Sequence, residues 1–284
     1  MTQHIEVDAG VDYITRSFTH EGPERQLYSE VTQWLHKRAK ADGDQASPAR
    51  RLGYDGWGGT HWFTGSHTQG NLVIVSSGLA DQVCNLFPGL LTTPSRLDVQ
   101  VSYVCSIGVK NRLNTVLKEV LKEREHRPKA LKFRVDYWSD TDGINTVYVG
   151  SRTSAQFARI YDKHTQSPKL YPENTVRYEI QFTNEFAHKV AQSIYGIIQP
   201  SSLTARDIVW SWLADRGIDV PSDIIYSQIG LPRYDKQNTS DARKLAWFEK
   251  QVKPGVHDLL KRNSRGTILA ALGLLELGDD EEVS

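Results

Sequence analysis

Residues 146–163 read TVYVGSRTSAQFARIYDK, two short alternating runs joined by a glycine-containing turn. The second run ends on Arg159, Tyr161 and Lys163, at steps of two. On a strand these three side chains leave the same face, so a phenol stands between two cations. Such a face is either a solvated sheet surface or a nucleophile set to meet a phosphate. Two further runs have the same character. SRLDVQVSYV (95–104) puts Leu97, Val99, Val101 and Tyr103 on one side and Arg96, Asp98, Gln100 and Ser102 on the other. TVRYEIQFTN (175–184) aligns Arg177, Glu179 and Gln181.

Outward from these strands the pattern is that of hairpins and then helices. GYDGWGGTHWFTG and GNLVIVSSG carry glycine-punctuated aromatic and β-branched runs, which are hairpin signals. KALKFRVDYWS precedes a turn at DTDG and reads as another strand. PERQLYSEVTQWLHKRAKA sets Leu27, Val31 and Leu35 on one helical face, LADQVCNLF makes a short helix, and NTVLKEVLKEREHR presents Val116, Leu117, Val120 and Leu121 as a stripe. After residue 184 the spacing becomes helical throughout, with Trp210, Trp212 and Trp247 on core stripes. The expected class is therefore α+β, a central antiparallel sheet flanked by helices with a helical C-terminal region. The expected organisation is a polar, partly helical segment over 1–50, a β-rich core over 51–190, a helical region over 191–275 and an acidic tail over 276–284.

Composition sets limits on function. The 284 residues have 39% apolar and 24% charged content and no net charge. A broad electrostatic pull on nucleic acid is excluded, so any grip on a polyanion must be local. Local excess exists: Ser106–Arg134 holds nine Lys or Arg against three Glu, and Leu231–Arg265 nine against four acids. No apolar run is long enough to span a membrane, and MTQHIEVDAG has no signal-peptide character. Cys84 and Cys105 make neither a disulfide framework nor a four-thiolate zinc site and read as buried thiols of a reducing cytoplasm.

Carboxylates, amides, guanidinium groups and a phenol on three strand faces suggest metal-assisted phosphoryl chemistry. Oxygen donors suit a hard cation such as Mg²⁺ or Mn²⁺. A tyrosine beside that cation can attack a phosphodiester, with Arg159 and Lys163 expected to lower its pKa and to stabilise the added charge. The carboxylates and amides on these faces are Asp98, Gln100, Glu179 and Gln181. Trp57, Trp62 and Phe63 are candidate stacking surfaces or, more simply, core anchors. VGSR offers backbone amides and Arg152 to a phosphate.

YVGSRTSAQFARIYDK followed by RYEIQF resembles the replication initiation factor family (Rep_trans), initiators of rolling-circle replication in plasmids, integrative elements and phages. RLDVQVSY and LAWFEKQVKPGVHDLL resemble further segments of that family. The resemblance implies an origin-specific DNA nicking and joining enzyme that forms a 5′-phosphotyrosine through Tyr161 and later religates the strand. It implies a metal held by Glu179, with Asp98 as a second carboxylate and Gln100, Asp136 and Gln181 competing as the third ligand. Arg152, Arg177, Lys250, Lys253, Lys261 and Arg262 are the expected DNA contacts. Expected partners are a double-stranded origin, single-stranded DNA and a host superfamily 1 (UvrD-like) helicase, and a homodimer would fit two nicking events per cycle. The family reading departs from other nicking enzymes in having no His-hydrophobic-His pair; His61 and His67 are the closest. A second YDK at Tyr234–Lys236 is a rival nucleophile, and a non-catalytic DNA-binding protein of the same fold is the competing class.

Overall fold

Among the described residues ten strands form one antiparallel sheet in the order β2-β3-β4-β5-β1-β6-β10-β9-β8-β7. They are β1 (Ile5–Phe18), β2 (Ser47–Arg51), β3 (Tyr54–Gly58), β4 (Trp62–His67), β5 (Gly70–Ser76), β6 (Arg96–Val104), β7 (Val135–Asp140), β8 (Gly143–Val149), β9 (Gln156–Asp162) and β10 (Thr175–Thr183). Among the described residues six α-helices accompany them: α1 (Gly22–Asp42), α2 (Gly78–Leu86), α3 (Val109–His126), α4 (Lys163–Gln166), α5 (Glu185–Tyr195) and α6 (Ser202–Ala214). This computed structural model describes residues 5–126, 135–141, 143–195, 202–221 and 224–231. All of these belong to a unit spanning Met1–Pro232. The expected α+β class, antiparallel sheet and flanking helices are what is found.

The strands alternate as their sequences dictate, and one face is apolar. Val99, Val101 and Tyr103 of β6 join Val176, Tyr178 and Ile180 of β10, Ala158 and Ile160 of β9 and Val147 and Val149 of β8 in the main core, all essentially inaccessible to solvent. Helices α3, α5 and α6 pack on these central strands. Trp210 of α6 lies 5.1 Å from the Tyr178 ring and 5.8 Å from Tyr103, and those two tyrosines stack at 5.7 Å. Burying such rings gives large apolar area plus about 0.5–1.5 kcal/mol per pair from ring geometry. Helix α1 buries Val31, Leu35 and Ala39 and stops at Gly43, whose φ of 72° is a left-handed cap.

Three features depart from the sequence reading. First, residues 5–18 form the strand between β5 and β6, at the middle of the sheet, where only a polar, partly helical segment was expected. The alternation is concealed by irregularities: β1 shifts register between Glu6 and Asp8 and again between Val11 and Tyr13. Val11 and Ile14, three residues apart, consequently face the same core. Second, the stripe of α3 is rotated: Val109, Leu113, Val116 and Val120 are buried while Leu121 is 40% exposed. Third, Arg112 of this basic helix does not face outward. It is buried and donates to the Tyr178 hydroxyl at 2.7 Å and the Asp219 carbonyl at 2.6 Å. Trp62 and Phe63 are buried anchors, and half-exposed Trp57 sits beside His36 of α1. Trp247, the C-terminal basic cluster, Tyr234 and the acidic tail lie outside the described residues.

Candidate active site

The register turns the three polar strand faces into adjoining rows. β10 runs between β6 and β9, so Arg177 pairs with Ser102 and Tyr161, Glu179 with Gln100 and Arg159, and Gln181 with Asp98 and Phe157. Paired residues share a face, and this face lies opposite the apolar one. It opens into a cleft of about 620 Å³ lined by Asp12, Arg96, Asp98, Arg159, Tyr161, Lys163 and Glu179, among others.

Tyr161 donates to Glu179 Oε2 at 3.2 Å, and Arg159 Nη2 bonds the other oxygen of that carboxylate. The same nitrogen is 3.7 Å from Asp98 Oδ2, so one guanidinium spans both carboxylates. Asp98 is fully buried and is also held two-pronged by Arg96, at 2.8 and 2.5 Å. β9 ends at Asp162, so Lys163 does not continue the strand face as expected. It opens α4 instead, a single turn capped by Asp162. Its ammonium nevertheless reaches the cleft, 5.9 Å from the Tyr161 ring centre and 5.2 Å from that of Tyr171.

Electrostatics correct one expectation. Burial, and after it the charge of Glu179, pushes the Tyr161 phenol well above its ordinary pKa; Arg177 and Arg159 offset only part of this. The cations therefore do not by themselves produce a phenolate. Burial also leads in raising Asp12, Asp98 and Glu179. Each of the three is raised further by another of the set: Glu179 acts on Asp12, Asp12 on Asp98, and Asp98 on Glu179. Burial and the neighbouring Arg177 lower Lys163.

Asp12 was not anticipated, and it comes from the bulge in β1. Val11 pairs with Val99 and Tyr13 with Asp98, which leaves Asp12 as the extra residue. A bulge re-aims its side chain, here into the cleft beside Arg177 (Nη1 to Oδ1, 2.9 Å). Asp8 of the same strand accepts from Arg177 at 3.0 Å, Gln100 at 2.9 Å and Tyr171 at 3.0 Å. The only sequence sign was a pair of acids four apart in an apolar stretch.

These contacts reassign two expected roles. Arg177, read as a DNA contact, is 2% exposed, and all three guanidinium nitrogens are engaged by Ser102, Asp12, Asp8 and Tyr171. Buried, with four of its five N–H donors spent on these partners, it buttresses the cleft from within. Gln100, read as a metal ligand, donates to Asp8 and accepts from Ser102 at 3.1 Å, within the Arg177 cluster. Asp136 shares the face but stands three strands from Glu179, about 14 Å at ordinary strand spacing. Gln181 sits one row on, opposite Asp98. Arg152 is exposed and lies 5.5 Å over the Tyr148 ring, at the turn begun by Gly150, whose φ of 97° favours glycine.

Asp12, Asp98 and Glu179 fit a divalent cation in charge and in donor chemistry, since three mutually repelling carboxylates face one cleft. Among the described residues no three His, Cys, Asp or Glu are already grouped to hold one. Arg159 occupies the intervening space as a substitute positive charge.

Among the described residues no helix is long and apolar enough to cross a membrane, and both cysteines are buried and free. No curated protein matches the chain. A rolling circle replication initiator protein from Geobacillus stearothermophilus is similar at 18% identity, over 81% of this chain and 93% of that one, with a TM-score of 0.43. A model of the replication initiation factor family matches residues 106–267, more than half the chain. That stretch carries Tyr161, Arg159, Lys163 and Glu179, and by this match the chain belongs to the replication initiation factor family.

Proposed function

We propose that this protein initiates rolling-circle replication by nicking one strand of a double-stranded origin and rejoining it, with Tyr161 as nucleophile. The observation that carries the reading is the hydrogen bond from the Tyr161 hydroxyl to Glu179 Oε2, inside a cleft that also holds Arg159 and Lys163. The phenol is held neutral, so it needs a base within reach, and Glu179 is in contact. Tyr161 Oη attacks the scissile phosphorus and its proton passes to Glu179. The bond from phosphorus to the 3′ oxygen breaks, and that oxygen leaves with the electron pair and takes a proton from solvent. The products are a 5′-phosphotyrosine and a 3′ hydroxyl; religation is the reverse. Arg159 and Lys163 face the charge that builds on the phosphoryl oxygens.

A divalent cation, Mg²⁺ or Mn²⁺, would be held by Glu179 and Asp98 with Asp12 as the third carboxylate, and when bound would polarise the phosphoryl oxygen. Arg159 must then leave its bridging position, which frees its guanidinium for the phosphate. The duplex grip is assigned to Lys250, Lys253, Lys261 and Arg262 from the sequence, with exposed Lys118 and Lys122 of α3 as a second basic surface. A helicase partner and dimerisation follow from the family reading alone. The test is a labelled single-stranded origin oligonucleotide incubated with Mn²⁺ and resolved on a denaturing gel. A covalent adduct in wild type, absent in Tyr161→Phe, supports the reading. Tight origin binding with no adduct under any metal would leave a non-catalytic DNA-binding protein.

A further inference from the structure

The polar rows do not stop at Tyr161. Tyr161 pairs with Thr146, and Thr146 with Trp138 of β7; two residues along, Arg159 pairs with Tyr148, and Tyr148 with Asp136. Trp138 therefore stands on the nucleophile's face and in its row, about 10 Å away at two strand spacings. It is 57% exposed, on the last strand of the sheet. An exposed indole is an unusual choice for a sheet edge, where charged residues normally discourage unwanted pairing.

Tyr148 links this edge to the cleft. It lines the 620 Å³ cleft, and it also lines an adjoining hollow of about 260 Å³ with Asp136, Gly150, Ser151, Arg152 and Phe157. The Tyr148 ring is stacked nearly parallel on buried Phe157, 5.9 Å between centres and 10° between planes. The exposed Arg152 guanidinium lies 5.5 Å from the Tyr148 ring centre, so a cation facing solvent adjoins the Phe157–Tyr148 pair. From Tyr161 outward the surface thus offers Arg159, then Tyr148 with Arg152 beside it, then bare Trp138.

We propose that this strip, running from the cleft across β8 to Trp138 on β7, binds the unpaired nucleotides that flank the phosphate attacked by Tyr161. The inference rests on the reading of the cleft as a nicking site. Single-strand binders combine cations that follow the backbone with aromatic faces on which bases stack, and both are present here in two adjacent rows. A base within duplex DNA is already stacked on both sides, so Trp138 selects DNA that has been opened. Exposed Arg152 meets the backbone, and Trp138 meets a base.

The test uses the full chain and a fluorescein-labelled dT₁₂ oligonucleotide in EDTA, followed by fluorescence anisotropy at fixed salt. Losing one stacked base corresponds to roughly a 5- to 150-fold weakening, so W138A should weaken binding at least fivefold. W138F keeps a ring and should remain within about threefold of wild type, and oligonucleotide binding should quench less tryptophan fluorescence in it than in wild type. Equal affinity of W138A and wild type overturns the strip, as does a wild type that does not bind the oligonucleotide. A change of oligomeric state in W138A with unchanged affinity also overturns it, making the edge a contact between copies. Adduct formation separates the two readings. If wild type forms an adduct while W138A binds dT₁₂ normally, only the strip fails; if wild type forms none, the nicking reading itself fails.

Discussion

If Asp12, Asp98 and Glu179 hold a metal, saturating Mn²⁺ should raise the melting temperature of the wild-type protein, and Glu179→Gln should remove most of that rise. Burial lifts all three carboxylates above their ordinary pKa values of 3.8 for Asp and 4.5 for Glu. The folded state therefore binds more protons than the unfolded state over the interval from those values up to the raised ones. Stability linked to these groups is present below the unfolded pKa values and falls as pH rises through the folded ones. At pH 7.5 their ionised forms repel one another, opposed by Arg159 and Arg96, and a cation that binds only the folded protein offsets the repulsion. At one hundred times its dissociation constant such a ligand contributes about 2.7 kcal/mol. Each kcal/mol moves the midpoint by roughly 2–4 °C in a chain of about this size, so a rise of about 5–11 °C is expected. Differential scanning fluorimetry at pH 7.5, with EDTA or Mn²⁺, measures it for wild type and Glu179→Gln. The variant should gain under about 2 °C. A wild type indifferent to Mn²⁺, or a variant that gains as much as wild type, refutes the carboxylate site.

Tyr161→Phe should abolish the covalent adduct while origin binding stays near wild type, because affinity comes mostly from phosphate contacts elsewhere; an adduct lost only in Tyr234→Phe would move the nucleophile. Arg96→Ala strips the two-pronged partner from fully buried Asp98 and should lower stability by about 3–5 kcal/mol in urea unfolding. A loss below 1 kcal/mol would mean that Asp98 is held by other groups. Neutralising Lys250, Lys253, Lys261 and Arg262 together should flatten log affinity against log salt by up to roughly four contacts' worth, about 0.9 each, on duplex origin DNA. An unchanged slope transfers the grip to the basic surface of α3.

The sheet was readable where both of its faces keep strict alternation. β6, β9 and β10 each hold a run of apolar residues against a run of polar ones, and pairing them in register is the arrangement that buries the first set and gathers the second. Glu179 and Arg159 as direct partners follow from that register, although which strands are neighbours is not local information. β1 escaped because two register shifts break its period, so that Val11 and Ile14 of one core look like members of opposite faces.

The same irregularity explains what the site reading lacked. Pattern arguments assign a side chain to one of two faces, and the bulged residue Asp12 obeys neither assignment; only the strand pairing shows that it enters the cleft. Arg177 and Gln100 were legible as members of the polar face but not in their roles. Their partner Asp8 is more than ninety positions away in sequence, and it is this carboxylate that draws both inward. The sign of the Tyr161 shift was misread for a related reason. Neighbouring cations can be counted along a strand, whereas burial depends on what the rest of the fold places around the phenol, and here burial outweighs them. To act as a nucleophile, a half-buried phenol that is kept protonated would need a base in contact with it, and the carboxylate in contact is Glu179, two strand positions from Arg177 and directly beside Arg159.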